Sequence, residues 1–357
     1  MKRLTLGIAL ICFALTGSNS QVIDIGKFLA AGQEDAEVLM QGYLGPYFNA
    51  FGASMTGGWY NTAGSHSLGG FDITATFNTS FVPDEDLKMD LSQLTLNSLQ
   101  LAPGTSEETP TIAGKNETGS QLNYNIAGLP DTKAFDMPKG TGVAYVPSPM
   151  LQLSVGLIKE TDIIGRYMPP IRTGETEIGM WGIGFKHGIK QWIPVLERIP
   201  VLQLSVHYGY TKMNANVGLD VTPDMVGLTD NTTADISWDD QKMTFVTQSH
   251  TGNLLVSANL PVVCFYGGVG FATTKTNLDL KGYYPSIEIS QAPSAVVTDN
   301  SALLDPINME IKNTDGSITK PRFNAGMRLK FAVFTLHFDY TYANYSMATV
   351  GMGLSFR

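Results

Sequence analysis

The stretch RFNAGMRLKFAVFTLHFDYTYANYSMATVGMGLSFR, residues 322–357, alternates three times over. Phe323, Ala325, Met327, Leu329 and Phe331 share one face, and Arg322, Asn324, Gly326, Arg328 and Lys330 share the other. After only Ala332 and Val333 the pattern resumes with Phe334, Leu336, Phe338, Tyr340 and Tyr342 against Thr335, His337, Asp339 and Thr341. It runs a third time through Ala348, Val350, Met352, Leu354 and Phe356. Period-two alternation with ribbon-tight connections predicts antiparallel strands having one apolar and one polar face. A soluble sheet with one dry face and a membrane barrel with a lipid-facing exterior both give this pattern. Each run is about ten residues, enough for a tilted strand to cross a bilayer core, whereas soluble strands average about five or six. The expected class is therefore all-β, a closed antiparallel transmembrane barrel of about 10–14 strands.

Bulk composition agrees. Charged residues are 15% of the chain, against roughly 25% in soluble domains. With 23 basic and 32 acidic residues there is no basic stripe for nucleic acid. Lys2 and Arg3, then an apolar run from Leu4 to Leu15 and the small Ser18-Asn19-Ser20, read as an export signal over residues 1–20, with Cys12 inside its core. Cys264 is then the single thiol, which excludes an internal disulfide. Met243 to Thr274 carries no Asp, Glu, Lys or Arg and imitates a membrane helix. Pro261 and the alternation on either side of it predict two strands joined at Leu260-Pro261 instead.

Ahead of the first strand, Ala36, Leu39, Met40, Tyr43 and Leu44 make one face of a helix that Gly45 and Pro46 are expected to end. A Gly-rich, irregular piece from Tyr47 to Gly70 follows, and the strand beginning at Phe71 opens the barrel. Residues 21–69 are thus expected to form a helical and Gly-rich hatch or plug, and residues 70–357 the barrel. Trp59-Tyr60-Asn61-Thr62-Ala63-Gly64 resembles the Asn-Pro-Ala motif found at the same place in long-chain fatty-acid transporter-like outer-membrane barrels, with Thr62 standing where that family has proline. The resemblance implies a hatch folded into the lumen and makes Trp59, Tyr60 and Asn61 the ligand or plug candidates. The aromatic Phe356 near the end resembles the last strand of Gram-negative outer-membrane barrels, although Arg357 follows it. The whole chain is similar to an uncharacterised family of predicted outer-membrane proteins.

With the C-terminus on the periplasmic side, the connections at Lys159, Ile189 to Pro200, Leu260-Pro261 and Ala332-Val333 fall there and are short. Pro83 to Gly140, Met213 to Asp240 and Lys281 to Thr319 fall outside and are long, as in outer-membrane barrels. Pro169-Pro170 is expected to close the strand before it. The turn at Ala332-Val333 sets Arg328 opposite His337 and diagonal to Asp339, so Arg322, Arg328, His337 and Asp339 form a polar lumen cluster. It reads as an ion pair filling the barrel interior rather than as a catalytic group.

Among His66, His187, His207, His250 and His337 no metal-ligand spacing occurs, and no cofactor motif is present. Asp84-Glu85-Asp86 and Asp239-Asp240 read as solvated loop charge, with Ca²⁺ or lipopolysaccharide counter-ions as the sharper reading. His207 and His250 with Ser205 or Ser249 imitate a hydrolase set, but nothing assembles them. The functional expectation is a non-enzymatic barrel in outer-membrane lipid and lipopolysaccharide that transports or binds a small hydrophobic or amphipathic ligand. The alternative is a non-conducting structural or partner-binding barrel of a secretion or surface-assembly complex, with its protein partner unidentified.

Overall fold

The computed structural model describes residues 26–29, 32–125, 132–286, 296–312 and 319–356. The expected export signal and Cys12 lie outside the described residues. Ten strands make the wall: β1 (Phe71–Phe81), β2 (Tyr145–Gly156), β3 (Thr161–Thr173), β4 (Thr176–Gly188), β5 (Leu202–Gly218), β6 (Lys242–Asn259), β7 (Val263–Lys281), β8 (Thr319–Phe331), β9 (Phe334–Tyr342) and β10 (Met347–Phe356). Each pairs antiparallel with the next, and β10 returns to β1 from Phe71↔Phe356 to Ser80↔Met347. The sheet has no free edge in its wall, which is how a barrel satisfies every ladder hydrogen bond.

Alternation decides which way each side chain points. Ile73, Leu153, Ile183, Phe265, Phe338 and Leu354 face outward and exposed, whereas Thr74, Gln152, Arg166, Lys186, His207 and Asp339 face inward and buried. Inside the ring the polarity is layered along the axis. Toward the end that carries the long loops, the inward positions are Met180, Met213, Val217, Phe245, Leu278 and Leu280, all in one apolar core. Toward the end with the short turns they are polar or charged.

A helix, α1 (Gln33–Ser54), descends into this lumen. Its N-terminal half packs under the long loops: the amides of Asn97 and Ser98 donate to the Asp35 carboxylate at 2.8 and 2.9 Å, and Ile112 N donates to the Tyr43 carbonyl at 3.0 Å. Its C-terminal half lies against the wall, with Phe48 stacked on Phe245 at 4.1 Å between ring centroids. Pro46 does not end α1, contrary to the sequence expectation, and only residues after Ser54 are irregular. The cause is burial: α1 is apolar on nearly all sides within the apolar layer, and tertiary contact then outweighs the loss of one helix hydrogen bond.

Two further expectations change. Pro169-Pro170 does not close β3, because the pairing with β4 shifts register between Met168 and Ile171 and skips the two residues that lack an N–H. Strands β5, β6 and β7 run 17, 18 and 19 residues, well beyond the length read from alternation, and the excess lies on the loop side. The short strands inside the long loops do not enlarge the barrel. Lys88–Asp90 pairs with Glu108–Pro110, and Leu99–Leu101, Gln121–Tyr124 and Thr132–Asp136 form another small sheet. Asn308–Ile311 lies along the overhang of β7.

At the turn end, Lys159 and Glu160 both have left-handed backbones, φ 55° and 52°, in the tight connection that Leu157 N and the Thr161 carbonyl close at 2.7 Å. The Ile189 to Pro200 connection is a 3-10 turn (Lys190–Trp192) followed by one helical turn (Pro194–Glu197). The β8–β9 hairpin pairs Phe331 with Phe334 and Arg328 with His337, in the register expected. Among the described residues no helix is long and apolar enough to cross a membrane, and Met243 to Thr274 lies within β6, its turn and β7.

The closing seam sets Ala75 directly opposite Met352, both on the outer face. In a Cys264→Ser background, Ala75→Cys with Met352→Cys is expected to oxidise to a disulfide, since directly opposed Cα atoms lie within its reach. Ala75→Cys with Val350→Cys is expected not to. Non-reducing electrophoresis reads both pairs, and a bridge in the second alone would contradict this register.

Candidate functional site

The segment after α1 crosses the polar layer, and its chemistry is set by how the wall receives it. Three carbonyls leave the end of the helix, at Met55, Thr56 and Gly57. Arg166 on β3 donates from Nη1 to the Met55 carbonyl at 3.2 Å and from Nη2 to the Gly57 carbonyl at 2.6 Å. Arg322 on β8 donates from Nη1 to the Thr56 carbonyl at 2.7 Å. Two buried guanidiniums thus grip a helix C-terminus, where unsatisfied carbonyls and the helix dipole favour positive charge.

Trp59 follows, only 2% exposed. The Arg166 guanidinium lies over its ring at 3.6 Å from the centroid, a cation–π contact inside the barrel. Beneath the indole are Gly184 on β4 and Gly209 on β5, paired directly across the two strands. A Cβ at Gly209 would stand 2.4 Å from Trp59 Cε2, and one at Gly184 would stand 2.8 Å from Cζ3. The glycines are therefore the seat of the ring, and a Cβ at either would force the indole to shift.

Tyr60 donates its hydroxyl to Asn324 Oδ1 at 3.0 Å and packs edge-on against His207. Burial pushes its phenol well above the usual range. Asn61 is buried beside it. Thr62 Oγ1 donates to Asn259 Oδ1 at 3.1 Å, and Ala63 N donates to Ser257 Oγ at 3.1 Å. Lys186 Nζ donates to the Gly64 carbonyl at 2.7 Å and pairs with Asp162 at 3.1 Å.

His66 closes the series just before β1. Its amide donates to Asp162 Oδ1 at 2.9 Å, its Nδ1 lies 3.2 Å from Asp162 Oδ2, and its Nε2 lies 3.2 Å from Asp72 Oδ2. Burial alone would push this imidazole down, but the hydrogen bonds to Asp162 and Asp72 and the Asp162 charge outweigh it and hold it above its ordinary value. The whole arrangement is an anchor: Arg166, Arg322, Asn324, Asn259, Ser257, Lys186, Asp162 and Asp72 on the barrel wall take up polar groups along Met55 to His66.

Of the cluster expected at the C-terminal hairpin, Arg328, His337 and Asp339 do share the inner face, but they form no ion pair with one another among the described residues. Asp339 accepts from Tyr266 Oη at 2.9 Å, and Arg322 has turned to Thr56 and to Thr251 Oγ1. A one-to-one register puts Arg328 beside another potential cation, His337, and leaves Asp339 closest across the strand to Gly326. Sequence reasoning missed Asp72, Asp162, Arg166 and Lys186. Their signal was present, since each is a charged residue at inward parity within an alternating strand.

The histidine sets separate. His207 is buried between Trp59 and Tyr60, while His250 is on the outer face with its Nδ1 2.7 Å from Tyr208 Oη. Ser249 Oγ donates to the Gly52 carbonyl at 3.1 Å. Asp86 is buried and accepts a hydrogen bond from Tyr345, so it is not a free loop carboxylate. A cavity of about 620 Å³ lies among polar loop residues including Asp84, Lys88, Glu108 and Asp136, away from Trp59 and Tyr60. Another of about 190 Å³ lies at the turn end, between Ser65 and His66, the Leu260 to Val263 turn, and Arg328 with Lys330.

The sequence matches, over residues 1–356, the family described as "Family of unknown function (DUF6588)", and the chain belongs to it. No curated protein matches it. Among solved structures it is similar to the translocator domain of the autotransporter NalP from Neisseria meningitidis, at 10% identity and a TM-score of 0.30, over 92% of this chain and 99% of that one. It is also similar to Ail, the attachment invasion locus protein of Yersinia pestis, at 10% identity and 0.24, over 81% and 98%. A TodX monoaromatic hydrocarbon channel variant stands at 10% identity and 0.28, over 82% and 68%.

Two outcomes test the anchor. Gly209→Ala is expected to destabilise the folded barrel by about 1–3 kcal/mol, the usual cost of overpacking, measured by thermal unfolding in detergent. Trp59→Leu in the same chain should restore part of the loss, and full stability of Gly209→Ala alone would contradict the seat. His66, raised in the fold, contributes stability that is complete below its unfolded pKa, about 6.5, and is lost as pH rises through the folded value. The stability gap between wild type and His66→Gln should therefore shrink as pH is raised through that window; a gap that widens would reverse the assignment.

Proposed function

We propose that this member of the DUF6588 family is an outer-membrane β-barrel, exported by residues 1–20, whose lumen is sealed by residues 21–69 acting as a plug. The observation that carries the reading is the anchored segment: α1 fills the apolar layer, Met55 to His66 fills the polar one, and wall side chains take up the polar groups of both. The outward belt of Ile183, Phe265, Phe338 and Leu354 supports immersion in lipid, because water-soluble monomers rarely expose so continuous an apolar surface. Exposed rings such as Tyr208, Tyr340 and Tyr342 suit the lipid–water boundary, and lipopolysaccharide would surround the loop end.

In this state the barrel is non-conducting, and its work is done by surfaces: the ordered cap of loops, with a protein partner, in a secretion or surface-assembly setting. We read it as non-enzymatic, which is supported by His207 and His250 lying on opposite faces of the sheet.

A second reading is the transport or binding of a small hydrophobic or amphipathic ligand, in the manner of the fatty-acid transporter-like barrels that the segment before β1 resembles. It is favoured by the apolar layer that α1 occupies. Trp59, Tyr60 and Asn61 would then move with the plug and not touch the ligand while it is seated.

Deletion of Val22 to Gly69 separates a seal from an ornament. Liposomes carrying the wild-type barrel are expected to hold a small sugar as well as empty ones, and those carrying the deletion to release it. Equal retention by a folded deletion variant would sink the plug.

A further inference from the structure

We propose that the turn-end mouth of the barrel is a binding site for a phosphate-type oxyanion, held by Arg328 and Lys330. The other buried cations on the inner wall are spoken for: Arg166 and Arg322 donate to the carbonyls of the N-terminal segment, and Lys186 pairs with Asp162 and donates to Gly64. Arg328 is the exception. Its side chain is drawn inside the barrel, 8% exposed, yet its Nε has no hydrogen-bond partner, and among the described residues no carboxylate lies within ion-pairing distance. A buried unpaired guanidinium carries a large desolvation cost that an anion removes.

The surroundings fit such a guest. Arg328 lines the half-open cavity of about 190 Å³ between the hatch segment and the Leu260 to Val263 turn. Lys330, two residues along the same face of β8, lines it too and has no carboxylate in ion-pairing distance among the described residues. On the hatch side Ser65 offers a buried hydroxyl with no partner, and Thr62 and Ser355 complete a polar rim. The nearest carboxylates are engaged elsewhere: Asp72 by His66, and Asp162 by His66 and Lys186. Two cations, one planar and forked and one a point charge, with hydroxyls opposite, offer donors and charge enough for the several oxygens of a phosphate-type dianion.

Free phosphate and the phosphate of a lipid headgroup share this chemistry. The purified full-length barrel in a maltoside detergent and a chloride buffer is titrated calorimetrically with inorganic phosphate, and separately with hexyl phosphate. Saturable binding at one site is expected, weakened about tenfold in Lys330→Gln, the loss expected on removing one charge-assisted hydrogen bond, and further in Arg328→Gln. Similar affinity for both probes identifies a free anion, and preference for the tailed ester identifies a lipid headgroup. Lys330 is only half-buried at the rim, so its variant keeps the test open if Arg328→Gln does not fold. No binding of either probe by the wild type, or equal affinity in Lys330→Gln, overturns the site.

Discussion

Two arginines that form no ion pair with a carboxylate among the described residues hold this protein's interior in place. Arg166 and Arg322 reach from opposite parts of the wall to three successive carbonyls at the end of α1. Each such bond to a charged donor is worth about 1.5–3 kcal/mol, and breaking it would leave a buried charge and a buried carbonyl unsatisfied together. A carboxylate partner would have neutralised either guanidinium and freed the carbonyls. Its absence ties the barrel's positive charge to the segment inside it. Trp59 repeats the logic, for the guanidinium that caps the helix also lies over the indole, and the indole in turn requires glycine at two cross-strand positions.

The layering of the lumen follows from the same division of labour. A ten-strand ring is somewhat wider than the roughly eight strands whose side chains fill their own interior, so the extra room must be occupied. On the loop side the occupant is a helix apolar nearly all round, and the wall there supplies Met213, Phe245 and Leu280. On the turn side the occupant is irregular chain whose peptide groups lack secondary-structure partners, and the wall supplies Arg, Lys, Asp and amide side chains. Pro46 is tolerated in the first setting because contacts on every side fix the helix.

The wall was legible in the sequence because a strand's side-chain period is fixed. Residues 322–356 announced their faces, the two-residue turn at Ala332-Val333 fixed Arg328 opposite His337, and loop lengths separated a short-turn end from a long-loop end. The site was legible only in part. Trp59 and Tyr60 stood out as aromatic residues in an irregular stretch, but parity tells which face a residue occupies and not its height or its neighbour two strands away. Arg166 meeting Met55 and Gly57, or Asp162 meeting His66, spans about 100 residues of chain and leaves no local trace. Arg328 and Asp339 show the converse, sharing a face and a hairpin yet going separate ways once Tyr266 claims the carboxylate.

The route of the N-terminal segment constrains how such a barrel can assemble. Residue 26 stands against Val221 under the long loops, and β1 begins at the opposite, turn-side end, next to the last residues of β10. The chain between them therefore runs the full height of the lumen from loop end to turn end before the wall starts. Closing the ring first would leave this segment to thread past the loop cap, whose Leu91, Leu99, Leu122 and Phe135 form one apolar core with Tyr43 and Phe28. That core would have to be broken to admit it. Docking before or during the pairing of β1 with β10 needs no such step, because the arginines, the Gly184–Gly209 seat and Asp162 all lie on strands that can meet the segment while the seam is open. The segment is tied to the wall beside that seam: His66 binds Asp72, one residue into β1, and Asp162, one residue into β3.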